Sequence, residues 1–237
     1  MSELFSLISS TFEKNGINLS DKQINQFEIY CQFLLEYNEK VNLTAITEIQ
    51  AVIEDHFVDS LKGAELDEII KGAKCADIGT GAGFPGVPLA IARPDITVAL
   101  VDSLNKRLVF LDELKEKIGL TNVYTVHGRS EDLGRDKKMR EQFDCVFSRA
   151  VARMNVLAEL DMPFVKVGGY MLAWKGPAVE EELLEAKNAI NVLGGENKGI
   201  YTSSIEGKEH YIAKIKKVKP TPEKYPRQAG LPKKKPL

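Results

Sequence analysis

The sequence predicts an α/β fold: a seven-stranded, mostly parallel sheet with helices on both faces, a C-terminal antiparallel hairpin and an N-terminal helical extension. Three observations predict it. From residue 74 onward, short apolar runs alternate with stretches of helical periodicity, as successive βα units require. At Asp77-Ile78-Gly79-Thr80-Gly81-Ala82-Gly83-Phe84-Pro85-Gly86 a small, apolar strand runs into four glycines within eight residues, which lets a backbone turn tightly and lets a ligand approach it. Near the C-terminus, two strand-like runs are separated by little more than Glu206-Gly207-Lys208-Glu209. A parallel crossover needs about a dozen residues or more, so these two must pair as a hairpin.

In chain order, Leu4, Leu7, Ile8, Thr11 and Phe12 follow helical spacing until Asn15-Gly16, a pair suited to a left-handed cap. Ser20-Asp21-Lys22-Gln23 is a capping box, and Ile24, Phe27, Tyr30 or Cys31, and Leu34 then recur along one face up to Tyr37-Asn38. Thr47-Glu48-Ile49-Gln50 reads as a second capping box opening a helix through Ile53, Phe57 and Leu61. Residues 1–65 are therefore expected as a helical cap without strands. Strands are expected at 75–78, 97–101, 123–126, 143–148, 170–174, 198–205 and 211–218, with helices at 87–92, 105–118, 154–162 and 179–193. That makes 66–218 the sheet domain, and 219–237, with its repeated prolines and lysines, an extended tail draped over the surface.

Composition narrows the class. A 237-residue chain, 43% hydrophobic and 28% charged, is an ordinary globule rather than a disordered or fibrous one. The N-terminus lacks a basic region followed by a long apolar run, and no stretch reaches the roughly 20 apolar residues that span a bilayer, so a cytoplasmic protein is expected. Cys31, Cys75 and Cys145 are isolated, which points to neither a zinc site nor a disulfide framework, and no metal is expected. Residues 205–237 hold ten Lys/Arg against three Asp/Glu, a local +7, which leaves 22 against 31, or −9, elsewhere. Basic charge gathered at one end is either a solvated surface or a contact for a phosphate backbone.

Two cofactor readings fit the glycines. Gly81-x-Gly83-x-x-Gly86, followed about 20 residues later by an acid, Asp102, satisfies the dinucleotide fingerprint of NAD-dependent enzymes. Asp77-x-Gly79-x-Gly81-x-Gly83 instead resembles motif I of S-adenosyl-L-methionine (SAM) methyltransferases. In those enzymes the turn wraps the methionine part of the cofactor, and an acid ending the next strand, here Asp102, holds the ribose hydroxyls. One such turn, with seven strands ending in a hairpin, is similar to the Rossmann-like SAM-dependent methyltransferase sheet rather than to the two-halved dinucleotide fold.

Further motifs make the resemblance specific. They are Asn38-Glu39-Lys40-Val41-Asn42-Leu43-Thr44-Ala45, His56-Phe57-Val58-Asp59-Ser60-Leu61, the glycine turn, Asp102-Ser103-Leu104-Asn105-Lys106-Arg107, His127-Gly128-Arg129-Ser130-Glu131-Asp132, Ser148-Arg149-Ala150-Val151-Ala152 and Tyr225-Pro226-Arg227-Gln228-Ala229-Gly230. In order and over nearly the whole chain, they resemble the ribosomal RNA small subunit methyltransferase G family, also called glucose-inhibited division protein B. The resemblance implies transfer of a methyl group from SAM to N7 of one guanosine of 16S rRNA, leaving S-adenosyl-L-homocysteine. The partner would be 16S rRNA, the small subunit or its precursor, with no membrane and no evident protein partner. Another RNA or a small molecule is the alternative methyl acceptor.

The implied roles are these. Gly79, Gly81, Gly83 and Phe84 form the cofactor turn, Asp102 takes the ribose hydroxyls, and Ser103 and Leu104 border the adenine. Ser130 and Glu131 meet the adenine edge. Arg149 serves both cofactor and catalysis, engaging the SAM carboxylate or the guanine's O6 or phosphate. Lys106, Arg107, Arg129, Lys175 and Arg227 are the candidate RNA contacts. Asn42 and His56 stand between RNA contact and packing. Chemistry supports the acceptor, because guanine N7 carries a free lone pair and no proton, so alkylation there needs positioning but no general base. Enzymes that methylate exocyclic amines usually follow strand four with Asp/Asn-Pro-Pro-aromatic, where this chain has Ser148-Arg149-Ala150-Val151. Carbon-5 methylation of pyrimidines needs a cysteine nucleophile, and Cys145 lies in an apolar strand that would leave its thiol inert.

Overall fold

Ser2 opens the first helix in the computed structural model, which describes residues 2–237. Its hydroxyl accepts from Phe5 N at 3.0 Å, starting α1 (Glu3–Lys14), and Ser20 with Gln23 forms the expected capping box for α2 (Asp21–Asn38). The third helix departs from expectation. Its cap is Glu48 rather than Thr47, with the carboxylate accepting from Gln50 N at 3.1 Å and Ala51 N at 2.7 Å. A carboxylate there satisfies two orphan donors and meets the positive end of the helix dipole. After α3 (Ile49–Ala51) the backbone widens into a π-helical segment, Val52–Val58, before α4 (Asp59–Leu61). Such segments concentrate at functional sites, and this one, with the start of α4, presents the Asp55 carbonyl, His56 and Asp59 to Arg149.

All seven expected strands form: β1 (Lys74–Ile78), β2 (Thr97–Asp102), β3 (Val123–His127), β4 (Phe143–Arg149), β5 (Val165–Lys175), β6 (Gly195–Ile205) and β7 (Lys208–Lys217). Their order is β3-β2-β1-β4-β5-β7-β6, with β1 to β5 parallel and β7 antiparallel to both β5 and β6. The hairpin is tighter than expected. Glu206 and Gly207, both at positive φ (47° and 76°), make the two-residue turn that suits the twist of paired strands. Because β7 runs against β5, it enters the sheet where β5 leaves it, and Tyr211 stands opposite Lys175.

The period of two along each strand builds two cores. Cys75, Val98, Leu100, Phe147 and Leu172 face one way, onto α1, α2, α5 (Gly86–Ala92) and α6 (Asn105–Ile118). Ala76, Ala99, Val101, Val146 and Met171 face the other, onto α8 (Met154–Asp161), α9 (Val179–Glu185) and α10 (Lys187–Val192). The last two helices divide what reads in sequence as one, with Ala186 as the joint. A short α7 (Ser130–Leu133) follows β3.

The tail is docked onto the surface by specific hydrogen bonds. Arg140 donates to the carbonyls of Thr221 (2.6 Å) and Tyr225 (2.8 Å), Arg135 to that of Pro226 (2.8 Å), and Thr221 and Tyr225 are buried. Carbonyls that proline-rich chain cannot satisfy by its own secondary structure are met by these guanidinium groups. The segment ends in one helical turn, α11 (Leu231–Lys234). Among the described residues no helix is long and apolar enough to cross a membrane, and the three free cysteines are buried.

Candidate active site

The turn between β1 and α5 is tied to β2, since Gly79 N and Thr80 N both donate to Val101 O at 2.9 and 3.0 Å. Gly79, Gly81 and Gly83 have φ of 71°, 59° and 99°, which explains glycine at alternate positions. Gly83 is also closed in: a Cβ there would lie 2.7 Å from Val87 Cγ2 and 2.8 Å from the Tyr30 hydroxyl. Above Gly81 a Cβ would meet nothing nearer than Gly79 O at 3.9 Å. That open side is where a ligand can lie against backbone.

Asp77 holds the turn from beneath. Fully buried, its Oδ2 accepts from Thr80 Oγ1 at 2.7 Å and Gly86 N at 2.9 Å, while burial pushes its carboxyl up to about 6. Asp102 ends β2 beside the turn, 3% exposed, accepting from Gly81 N (3.0 Å) and Leu104 N (2.8 Å) and pairing with Arg107 Nη1 (3.1 Å). Three donors on a carboxylate with about four acceptor sites leave room for one more. Ser103 and Leu104 are exposed just beyond it. Glu131, on α7, already accepts from Gly230 N at 2.9 Å, so the tail reaches this expected adenine border, with Ser130 beside it.

Arg149 ends β4 and is the busiest side chain of the site. Its Nη1 donates to Asp55 O (2.8 Å) and Asp59 Oδ2 (2.9 Å), its Nη2 to His56 Nδ1 (2.8 Å), and its guanidinium lies 4.9 Å from the Phe84 ring centre. Five N–H groups less three bonds leave two for a ligand. The ring of Phe84 is buried between Tyr30 (5.4 Å) and His56 (4.4 Å). That places Phe84, expected at the cofactor, in an aromatic stack joining the helical cap to the turn. His56 likewise packs rather than facing solvent, and Asn42 is exposed.

Since Arg149 donates to Nδ1, the His56 proton sits on Nε2, 2.8 Å from Thr44 Oγ1. Burial first, and Arg149 second, bring His56 from 6.5 down to about 3. A folded-state value below the unfolded one gives stability that is present above pH 6.5 and lost as pH falls toward 3. Asp77, raised from 3.8 to about 6, acts in the opposite sense between those values, losing stability as pH rises. The two slopes oppose each other in the native chain. The difference in unfolding free energy between it and His56→Gln is therefore expected to shrink by about 1.4 kcal/mol per pH unit on acidification below 6. Denaturant titrations across pH check this, and a constant difference would refute it.

Beyond Arg149, residues 150–153 cross the carboxyl edge of the sheet, with Val151 seated over Gly79. On one side lies a cleft of about 460 Å³ between the ends of β4 and β5, walled by Asp59, Arg149, Arg153, Lys175, Glu182 and His210. On the other, a cleft of about 450 Å³ runs between Glu131, Val151 and the tail residues Gly230 and Lys233. A larger groove, about 670 Å³, lies between α9, α10 and β6, and its walls include no residue of the turn, nor Asp102 or Arg149.

The five cations expected to meet RNA fall into two sets. Lys106 and Arg129 are exposed and, among the described residues, carry no ion pair. Arg107, Lys175 and Arg227 are each engaged internally: Arg107 with Asp102, Lys175 with Glu182 (2.8 Å) and Ala152 O (2.6 Å), and Arg227 bidentately with the fully buried Glu159 (2.9 and 2.6 Å). A carboxylate buried as deeply as Glu159 must be paired, and this pairing takes precedence over solvent exposure of the arginine. Asp59 and His210 complete the cleft and were not singled out from sequence. Asp59 does lie in the motif His56-Phe57-Val58-Asp59-Ser60-Leu61, which is the only signal that could have found it.

Among the solved structures that share this fold is precorrin-6y C5,15-methyltransferase from Geobacter metallireducens GS-15, with a TM-score of 0.50 at 16% identity, covering 75% of this chain and 92% of that one. Strand order, glycine turn and the acid ending β2 define a Rossmann-like, SAM-dependent methyltransferase. A family model described as rRNA small subunit methyltransferase G matches residues 23–212. The protein of that name from Clostridium perfringens (strain 13 / Type A) is 47% identical over 237 residues, 99% of each chain, and that from Desulfitobacterium hafniense (strain Y51) is 51% identical over 229 residues, 96% of this chain and 95% of the other. The chain belongs to the rRNA small subunit methyltransferase G family.

Proposed function

We propose that the protein transfers a methyl group from SAM to N7 of a guanosine of 16S rRNA, presented alone or within the small subunit or its precursor. The observation that carries the reading is the pairing of an open glycine turn beside Asp102 with a cleft, lined by Arg149, at the adjoining strand ends. Open α/β sheets bind ligands there. Gly79, Gly81 and Gly83 offer backbone to the methionine part, Asp102 takes a ribose hydroxyl, and Ser103, Leu104, Ser130 and Glu131 border the adenine. Bound SAM supplies an electrophilic sulfonium methyl. The chain's own task is then alignment: Arg149, clamped by Asp55, His56 and Asp59, directs its remaining N–H groups at the methionine carboxylate or the guanine, holding N7 in line. No side chain need remove a proton. The buried cysteines fit no pyrimidine carbon-5 mechanism, which requires an accessible thiolate.

Residues 1–65 act as the cap that holds Arg149, 66–218 as the catalytic domain and 219–237 as a docked basic tail. Lys106 and Arg129 on the rim, with the exposed Lys233, Lys234 and Lys235, contact phosphates. Replacing those three lysines by glutamine is expected to lower the slope of log affinity for 16S rRNA against log salt by about 2 to 3. Filter binding at several salt concentrations measures it, and an unchanged slope would leave the tail without RNA contact. The function itself is tested by tritium transfer from labelled SAM to 16S rRNA and to the small subunit, followed by strand cleavage at N7-methylguanosine. Label that appears in RNA without N7 cleavage, or only in small molecules, would replace the proposed acceptor.

A further inference from the structure

Of the polar side chains that the mechanism above leaves idle in the cleft at the ends of β4 and β5, Lys175 and Glu182 pair with each other and Arg153 pairs with Glu181 and Glu185, which leaves His210 as the one with an unengaged ring nitrogen among the described residues. His210 lies near the start of β7, next to Tyr211, which stands opposite Lys175 at the end of β5. The antiparallel course of β7 is what brings it to the carboxyl edge. Its Nδ1 meets Asp59 Oδ1 at 2.8 Å, while Asp59 Oδ2 holds Arg149 and the Asp59 carbonyl accepts from Trp174 Nε1 at 2.9 Å. One buried aspartate, its backbone held by Trp174, thus sets both Arg149 and His210 through the two oxygens of its carboxylate. Among the described residues the histidine's Nε2 has no hydrogen-bond partner, and the side chain stands in the cleft wall.

The hydrogen on Nδ1 goes to the carboxylate, so in the neutral ring Nε2 presents a lone pair. Arg149, Arg153 and Lys175 give this cleft donors, whereas His210 gives it an acceptor. Guanine has donors to match, N1–H and the exocyclic amine, on the edge away from N7. Alkylation at N7 places positive charge on the purine and makes both hydrogens more acidic. A hydrogen bond accepted there is therefore stronger in the transition state than in the ground state, which is the condition for raising kcat. Adenine would oppose the Nε2 lone pair with the lone pair of its own N1.

We propose that His210, oriented by Asp59, accepts a hydrogen bond from the N1–H or amino group of the target guanine, selecting guanine and stabilising the charge that methylation creates. The assignment rests on the guanine-N7 reading above. Asp59 is the positioning residue and His210 the one that touches substrate.

Two variants separate contact from packing. His210→Asn keeps a donor near the Asp59 oxygen and deletes the Nε2 end, while His210→Gln reaches out to where Nε2 lay with an amide oxygen. With a synthetic 16S segment, or a subunit reconstituted around it, His210→Asn is expected to lower kcat about 10- to 100-fold, as for one charge-assisted hydrogen bond. SAM affinity by calorimetry and melting temperature should stay at native values, and His210→Gln should recover most of the rate. Placing 2-aminopurine, which lacks N1–H and O6, or inosine, which lacks the exocyclic amine, at the target position removes the two candidate donors in turn, and the analogue without the donor that His210 meets should slow the native enzyme more than it slows His210→Asn, because the variant has already lost that partner. Native kcat in His210→Asn, an equal penalty in both enzymes from each of the two analogues, or loss of SAM binding along with activity in both variants would each overturn the assignment. A native enzyme that leaves the guanosine RNA unmethylated at N7 is a different result, and overturns the function on which the assignment rests.

Discussion

Arg149→Ala is expected to lower kcat by about 10² to 10³, the range seen when one aligned donor is removed from a charge-stabilising site. It is also expected to destabilise the fold. Asp59 Oδ2 would lose its guanidinium partner while staying buried, and His56 Nδ1 and the Asp55 carbonyl would each lose a donor. Breaking one side of a buried ion pair costs about 3 to 5 kcal/mol, which in a chain of this size lowers Tm by roughly 6 to 12 °C. The loss should be felt first in the N-terminal segment, because Arg149 bridges the end of β4 to the π-helical segment about 90 residues upstream. Arg149→Lys keeps a charge for Asp59 but lacks the planar fork, so it should regain much of the stability and little of the rate. Kinetics at saturating SAM and thermal melts of both variants check this. Native kcat in Arg149→Ala would remove it from the reaction.

Asp102→Asn is expected to weaken SAM binding about 100-fold while changing kcat at saturating cofactor less than threefold. An ionised acceptor is worth about 1.5 to 3 kcal/mol for each hydrogen bond it takes, and about 2.8 kcal/mol corresponds to that factor. The amide's Oδ1 can still accept from Leu104 N, so the loop after β2 should hold its course. The other end cannot accept from both Gly81 N and Arg107, and it no longer attracts the arginine electrostatically. Arg107→Ala gives the complementary result. Freed of its ion pair, Asp102 would keep or improve its grip on the sugar, so SAM affinity should not fall. Calorimetry of the two variants decides between Asp102 as the cofactor's anchor and Asp102 as a brace for the turn, and an unchanged dissociation constant in Asp102→Asn supports only the brace.

The strands, their directions and the turn were legible because each is written locally. Short continuous apolar runs mark strands that pack on both faces, and glycines at 79, 81 and 83 mark backbone that side chains would obstruct. A four-residue gap admits only a hairpin. Side-chain duties were legible to a lesser degree. Phe84 reads in sequence as part of the ligand turn, but the aromatic rings of Tyr30 and His56, dozens of residues earlier in the chain, enclose it. Arg107, Lys175 and Arg227 read as free cations until Asp102, Glu182 and Glu159 are seen beside them. The division of 179–193 at Ala186 and the π-helical widening of 52–58 left no composition signal, since both follow from what the helices pack against.

By itself the sequence determined the α/β class, the seven-stranded sheet, the glycine turn with its acid at Asp102 and the family, all properties of periodicity, turn chemistry and motif spacing within short windows. Only the tertiary structure decided which charges remain free for RNA, how the tail docks, and that Asp59 joins Arg149 to His210. The last of these depends on partners 90 and 151 residues apart. A buried charge takes whichever opposite charge or donor the fold brings within about 3 Å, and no local pattern encodes that choice.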